Sequence, residues 1–358
     1  MKKLNFDING FSINFSYSEA FNAKKMVVDH FGVWMKDNNS ESVELNLRLM
    51  EMNNDIIKEY ESMVYSQIVE DYFKKTNNLI WRLSFEKKIV DNSFSMLKLN
   101  ERNVIMKIDI DSKSIDIYCD VNEFFEGAHV ANEIITETIK IMYVHFMEAR
   151  GFIVVHASCV DIDGKGVLYV GDSGAGKTTT LINTLDMNNA KCVSNDSVFI
   201  KQEKGKIIAI GVPHTFNIRP NSVHLYKDLK IHETITTLIK NIKVSVEKIV
   251  FNHVDIIKDN INKTFVDEIL FLECDYDSDN TVLIEIDKNL AKDIFTSNVK
   301  SYNNPKMMNF HEFFVRDQSY NTEYIDNTID SVFTLSQQHK MCWAKDIREF
   351  IGQRYKEA

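Results

Sequence analysis

Residues 79–121 alternate apolar and polar side chains with a period of two. The segments "LIWRLSFEKKIV", "SFSMLKLN", "NVIMKIDID" and "SIDIYCDV" are separated by Asn, Asp and Ser turns, a pattern that predicts an antiparallel sheet. Upstream, within 41–75, Leu45, Leu49, Met52, Ile56, Tyr60 and Met63 fall at helical steps, which predicts at least one helix there. Residues 130–149 have the same period through Ile134, Ile135, Thr138, Ile139, Met142 and Phe146.

From residue 151 the pattern changes again. Ile153 to Asp161 reads as a strand, Asp163-Gly164 as a tight hairpin turn, and Val167 to Val170 as the next strand. A glycine-rich run follows, and then "TTTLINTLDM" at helical spacing. Further strands are expected at 191–200, near 206–211, and in "FVDEILFLECD" and "TVLIEID". The tail, 323–352, reads as helix. The fold class is therefore α/β in the broad α+β sense, a mixed sheet with helices. Two parts are expected: a smaller mixed α/β domain over 1–125 and a second domain over 126–358. No Pro/Gly/Ser linker separates them, so a shared core is open.

Composition narrows the function. With 42 Lys+Arg against 52 Asp+Glu the net charge is -10; such a surface repels nucleic acid and anionic lipid unless a basic patch intervenes. The strongest candidate patch, Lys240 to Lys248, is interrupted by Glu247 and reads as a solvated face. The five cysteines (Cys119, Cys159, Cys192, Cys274, Cys342) show no CxxC pair, which argues against a zinc site or a disulfide framework and fits a reducing cytoplasm. Behind "MKK" there is no apolar stretch of the kind a signal peptide needs. The most apolar region, Ile139 to Val160, is broken by His145, Glu148 and Arg150, so no spanning helix is expected. The expectation is a soluble cytoplasmic protein with no nucleic-acid or membrane partner.

The chemistry concentrates at "GVLYVGDSGAGKTTT" (166–180). Gly171, Asp172, Ser173, Gly174, Ala175, Gly176, Lys177 and Thr178 fit G-x-x-x-x-G-K-[ST] in full. Glycines let the backbone turn its N–H groups inward, where they bond phosphate oxygens. The helix that follows adds its positive end. In such a loop the lysine, here Lys177, reaches the β- and γ-phosphates and the hydroxyl of Thr178 ligates Mg²⁺; Thr179 lies beside them. Of only 12 glycines in the chain, five fall between 164 and 176, which makes a chance match a poor explanation. The loop says nucleotide, ATP or another nucleoside triphosphate; it does not choose among kinase, ATPase and switch.

Two elements flank the loop. His156 lies on the strand before the hairpin, so pairing across Asp163-Gly164 brings it near the start of the loop. "VSNDSVFI" (193–200) follows one helix later, and Asp196 is placed there as a metal ligand or as a base on an incoming hydroxyl. Taken alone, His156 could be a packed strand histidine and Asp196 a turn residue.

Together, "HASCVDIDGKGVLYVGDSGAGKT" and "VSNDSVFI" resemble the catalytic core of HPr kinase/phosphorylase and its relatives, over about residues 150–215. The resemblance implies a phosphoenolpyruvate-carboxykinase-like P-loop fold and transfer of phosphate to a seryl hydroxyl of a protein; related bacterial kinases act on precursor peptides or small molecules. On this resemblance His156 matches the histidine beside the catalytic acid, and Asp196 matches the acidic residue that acts as base. Asn195 falls where the family usually has its first aspartate; a neutral amide binds Mg²⁺ more weakly than a carboxylate, through its oxygen. Oligomers are frequent in the family, which makes a homo-oligomer an expectation here. No match to the family's phosphorylase-associated C-terminal region is found, and residues 1–125 carry no match at all.

"GVPHTFNIRPNS" (211–222) holds two of the three prolines and Arg219, the only arginine between Arg150 and Arg316. An arginine near a transferring phosphoryl group stabilises its charge; a surface salt bridge is the competing role. His214 could line the same loop. The acidic run Asp275 to Asp279 lacks the glycine and terminal glutamate of a calcium loop and reads as a solvated turn. The expected function is an ATP- and Mg-dependent kinase with a Ser/Thr acceptor in a peptide or protein, and with the N-terminal domain recognising that acceptor. A metabolite kinase and a nucleotide-regulated binding module remain as alternatives.

Overall fold

In this computed structural model, residues 1–37, 42–63, 66–69, 85–89, 94–99, 103–120, 130–227, 229, 231–240, 249–251, 256–257, 259–275, 278–300 and 322–355 are described. They fall into two units, one within Met1–Phe146 and the other within Met147–Asn303 and Asp317–Ala358. The expected boundary at 125/126 and the basic stretch 241–248 lie outside the described residues.

The first unit is built on a mixed sheet. Its strands are β1 (Lys2–Ile8), β2 (Phe11–Tyr17), β3 (Met35–Asp37), β4 (Leu45–Glu51), β5 (Ser66–Val69), β6 (Phe85–Ile89), β7 (Phe94–Leu99), β8 (Val104–Asp109) and β9 (Ser114–Cys119), in the order β3-β1-β2-β4-β9-β8-β7-β6-β5. The strands from β5 to β9 form an antiparallel run, as the alternation within 79–121 predicts, while β4 pairs in parallel with both β2 and β9. The helix expected within 41–75 is present, but the first two positions of its helical period are corrected. Leu45 and Leu49 are on β4, and Leu45, Leu47 and Leu49 are all buried on one face; the period there is two. Among the described residues of 41–75 the helix spans Asn54–Ser62, capped by the Asn53 side chain, which accepts from the backbone N–H of Asp55 and Ile56. The helix Val130–Glu148 agrees with its sequence period.

The second unit holds β10 (Ile153–Val155), β11 (Ala157–Ile162), β12 (Lys165–Val170), β13 (Ala190–Ser194), β14 (Val198–Glu203), β15 (Lys206–Gly211), β16 (Phe216–Ile218), β17 (Ile249–Phe251), β18 (Lys263–Cys274), β19 (Val282–Ile284) and β20 (Gln337–Trp343). Its main sheet runs β10-β14-β15-β18-β12-β11-β13, with β20 on β18 and β19 on β20. Asp163 (φ 52°) and Gly164 (φ 85°) make the tight turn between β11 and β12, the backbone that a two-residue hairpin needs.

Successive residues of the central strands face opposite sides. Val167, Tyr169, Leu270 and Leu272 pack with Leu181, Ile182, Ile347 and Ile351 of helices Lys177–Leu185 and Ile347–Arg354. Leu168, Val170, Ile269 and Phe271 pack with Ala291, Phe295, Ile325 and Ile329 of helices Lys288–Ser297 and Thr322–Leu335. The result is a mixed sheet between two helical layers. The tail read as one helix over 323–352 is corrected: β20 interrupts it. Met341 and Trp343 are buried at alternate positions, and the strand lies parallel to β18, so a buried sheet slot overrides the helical spacing. Among the described residues no helix is long and apolar enough to cross a membrane.

Strand direction sets up the site. β12 is parallel to β18, and β18 to β20. β11 is antiparallel to both β12 and β13, so β13 runs in the direction of β12. The C-terminal ends of β12 and β13 and the N-terminal end of β11 therefore share one edge. Ligands of open α/β sheets bind outside the carboxyl ends of the strands.

Candidate functional site

The glycine loop leaves β12 at that edge. Gly174 (φ 96°) and Gly176 (φ 94°) adopt backbone conformations that side chains rarely tolerate. Gly176 has a second constraint, because a Cβ there would lie 2.4 Å from the indole of Trp343. The indole Nε1 donates to the Ala175 carbonyl at 2.6 Å. Trp343, at the end of β20, is thus a floor beneath the loop; the helical reading of the tail hid it. Asp172, Ser173 and Gly174 are exposed, and Thr178 is half-buried at the start of the loop helix. Lys177 is buried, and its ammonium donates to the carbonyls of Gly171 at 2.6 Å and Asp172 at 3.1 Å. The hydroxyl of Thr179 faces inward, 3.2 Å from Tyr226 Oη.

Beside the loop, the strand expected over 191–200 is broken at Asn195 and Asp196. The Ser194 hydroxyl donates to the Ser197 carbonyl at 2.6 Å, closing the turn between β13 and β14. The strand expected over Ile153 to Asp161 breaks as well, at His156, whose backbone N–H donates to the Asn298 carbonyl at 2.8 Å rather than to a sheet neighbour. Because Ala157 pairs with Val170, His156 lies level with the first loop glycine.

The two breaks meet. His156 Nδ1 is 2.9 Å from the Asp196 carbonyl and 3.6 Å from Asp196 Oδ1. A carbonyl only accepts, so Nδ1 carries the proton and Nε2 is the acceptor nitrogen in the neutral ring. Burial pulls the His156 imidazole down to about 4, against the Asp196 carboxylate, which favours the charged form; Lys300 and Lys177 add to the lowering. At neutral pH the His156–Asp196 contact is therefore a dipole against a carboxylate and not an ion pair.

Three further groups reach Asp196 Oδ2. His214 Nε2 lies 3.7 Å away, with its Nδ1 2.9 Å from the Thr215 carbonyl. Lys300 Nζ lies 3.5 Å away and donates to Ser197 Oγ at 2.8 Å; that hydroxyl is 3.2 Å from Oδ2. Lys300 carries no sequence signal, lying 104 residues beyond Asp196. Arg219 is exposed and caps the short helical turn Pro220–Tyr226, its carbonyl accepting from Ser222; its described contacts do not reach this cluster.

Asn195 is buried between these groups. Its Nδ2 donates to the Thr215 carbonyl at 3.3 Å, its own carbonyl accepts from the Ser158 hydroxyl, and its Oδ1 is buried without a hydrogen-bond partner. No set of three or more His, Cys, Asp or Glu side chains suited to a metal exists among the described residues. The oxygens of Thr178, Asn195 and Asp196 are donors of the kind Mg²⁺ takes, an ion that needs few protein ligands and completes its shell with water and phosphate oxygens; the unpartnered Asn195 Oδ1 is one such acceptor.

No protein-family model matches the chain, and no curated protein matches it. Among solved structures the chain is similar to the Hpr(Ser) kinase/phosphatase from Coxiella burnetii, at 18% identity and a TM-score of 0.22, over 35% of this chain and 60% of that one. The chain thus matches less than two thirds of that protein's length, an overlap that assigns neither activity nor substrate.

Proposed function

We propose that the protein is an ATP- and Mg-dependent kinase with a phosphoenolpyruvate-carboxykinase-like P-loop core, transferring the γ-phosphate to a Ser or Thr hydroxyl of a peptide or protein. One observation carries the reading. Asp196, contacted by His156, His214 and Lys300, stands at the end of β13, and the Gly171–Thr178 loop stands at the same end of β12. Phosphoryl transfer needs a phosphate cradle and a base side by side.

The loop N–H groups and the positive end of helix Lys177–Leu185 hold the phosphates. Lys177 exchanges the Gly171 and Asp172 carbonyls for phosphate oxygens. Thr178, Asn195 and Asp196 would hold Mg²⁺, which neutralises phosphate charge when bound. The Asp196 carboxylate accepts the acceptor's hydroxyl proton as the acceptor oxygen bonds to the γ-phosphorus; the bond from that phosphorus to the β–γ bridging oxygen breaks, and ADP leaves. Neutral His156 orients the Asp196 turn through its Nδ1–H without competing for the proton. The serine preference rests on the motif resemblance.

The test incubates the protein with Mg²⁺, γ-labelled ATP and degenerate peptide libraries centred on Ser, Thr or Tyr, beside the Lys177→Ala and Asp196→Ala variants. The expected result is label on Ser or Thr peptides, lost by roughly 100-fold or more in Asp196→Ala, with binding of metal-free nucleotide weakened in Lys177→Ala and not in Asp196→Ala. Binding that depends on Lys177 with no label on any peptide would sink the reading and favour a nucleotide-regulated binding module.

A further inference from the structure

The residues Asn298 to Lys300 form a short strap along the free side of β10. Val299 bridges Val155 in antiparallel fashion, His156 N–H donates to the Asn298 carbonyl at 2.8 Å, and Lys300 N–H donates to the Val154 carbonyl at 2.7 Å. The strap is fixed from its other end too. Asn298 Nδ2 donates to Ile294 O at 2.9 Å, and the preceding helix Lys288–Ser297 buries Ala291 and Phe295 in the core. The backbone of Lys300 is therefore registered against that of Val154, two residues before His156, and Asn298 against His156 itself. The Lys300 side chain is itself only 32% exposed and bonds the Ser197 hydroxyl, which separates it from an ordinary surface lysine, whose ion pairs contribute little.

Resting on the kinase reading, we propose that Lys300 is a positioning residue of the phosphoryl-transfer site. It holds the Asp196 carboxylate by its Oδ2, directly at 3.5 Å and through the Ser197 hydroxyl at 2.8 Å and 3.2 Å. The carboxylate rotamer is set before the acceptor arrives, and Oδ1 is kept on the His156 side. Arg219, expected to stabilise the transferring phosphoryl group, is exposed on the 211–222 segment, whereas Lys300 touches Asp196 and Ser197. Without the ammonium, Asp196 retains its proton-accepting oxygens and its His156 and His214 contacts, and loses both the direct cation contact on Oδ2 and the donor that holds the Ser197 hydroxyl beside it.

The experiment compares the full-length protein with Lys300→Met and Lys300→Arg, using Mg²⁺, γ-labelled ATP and the Ser-centred degenerate peptide library. Lys300→Met is expected to lower kcat by roughly 10- to 100-fold, the scale of a misdirected catalytic group, while KM for ATP and the urea midpoint stay near wild type. Lys300→Arg is expected to recover part of the loss, since it restores the charge on the same strap. The proposal is overturned if Lys300→Met transfers at the wild-type rate. It is equally overturned if its deficit comes with a matching rise in KM and fall in the urea midpoint and Lys300→Arg recovers nothing, the pattern of a merely structural residue. Wild-type protein that labels no peptide overturns the kinase reading and this role with it; the wild-type lane thus separates the two failures.

Discussion

Replacing Gly176 with Ala tests the tryptophan floor beneath the loop. The new methyl would lie 2.4 Å from three atoms of the Trp343 indole. The indole is buried and tied by its Nε1 to the Ala175 carbonyl, so it has no low-cost way to swing aside. Gly174 supplies the control. It has nearly the same backbone angle, φ 96° against 94°, and nothing within 4 Å of a Cβ. Both substitutions carry the backbone strain of a side chain at positive φ, about 1–3 kcal/mol. Gly176→Ala adds the overpacking of a filled site, about 1–3 kcal/mol more. That excess corresponds to a roughly 5- to 150-fold weaker affinity for ATP if the loop yields, or to the same free energy in the urea midpoint if it does not. Calorimetric titration with MgATP and urea unfolding, read together, capture both routes. Trp343→Ala in the Gly176→Ala background should recover part of the excess, because the two positions share one contact. Equal losses for the two glycine variants would refute the claim that Trp343 shapes the loop.

Two further predictions concern stability. The His156 imidazole titrates at about 4 in the folded chain against 6.5 ordinarily, so the unfolded state takes up a proton first as pH falls. The stability contributed by neutral His156 is fully present above about pH 6.5 and is lost between there and about pH 4, by about 3 kcal/mol; urea midpoints of metal-free protein across that window should fall less steeply in His156→Asn, and identical slopes would contradict the assignment. Asn53→Ala removes the side chain that accepts from the Asp55 and Ile56 N–H groups and should lower the stability of the first unit by about 1 kcal/mol, read as a lower urea midpoint in circular dichroism.

What the sequence discloses depends on how local the determinant is. The Asp163-Gly164 turn and the pairing it forces, Ala157 with Val170, need only a few adjacent residues, and they suffice to bring His156 level with the glycine loop. The Asn195–Asp196 break in "VSNDSVFI" was open to the same reading, since "SNDS" favours a turn, yet the flanking valines and isoleucine suggested one continuous strand. β4 misled for a different reason. Leu45, Leu49, Met52 and Ile56 satisfy helical spacing, while the decisive alternation of Leu45, Leu47 and Leu49 is only three residues long. β20 is decided by its buried slot beside β18, which no local pattern encodes. Lys300 and Trp343 reach the site from 104 residues beyond Asp196 and 168 beyond Ala175; neither carries a motif, and only the sheet order makes them neighbours.

The floor under the loop also orders events in time. A ribosome delivers the glycines of 171–176 long before it delivers Trp343, and at about 5–20 residues per second the gap is roughly 8 to 33 seconds. Through the first part of that interval β12 lacks β18, through all of it the complete β20 is missing beyond β18, and Ala175 lacks its indole donor. A nascent chain therefore carries the complete glycine loop without the surface that gives it shape. The loop gains its floor only when the last strand of the sheet slides in beside β18.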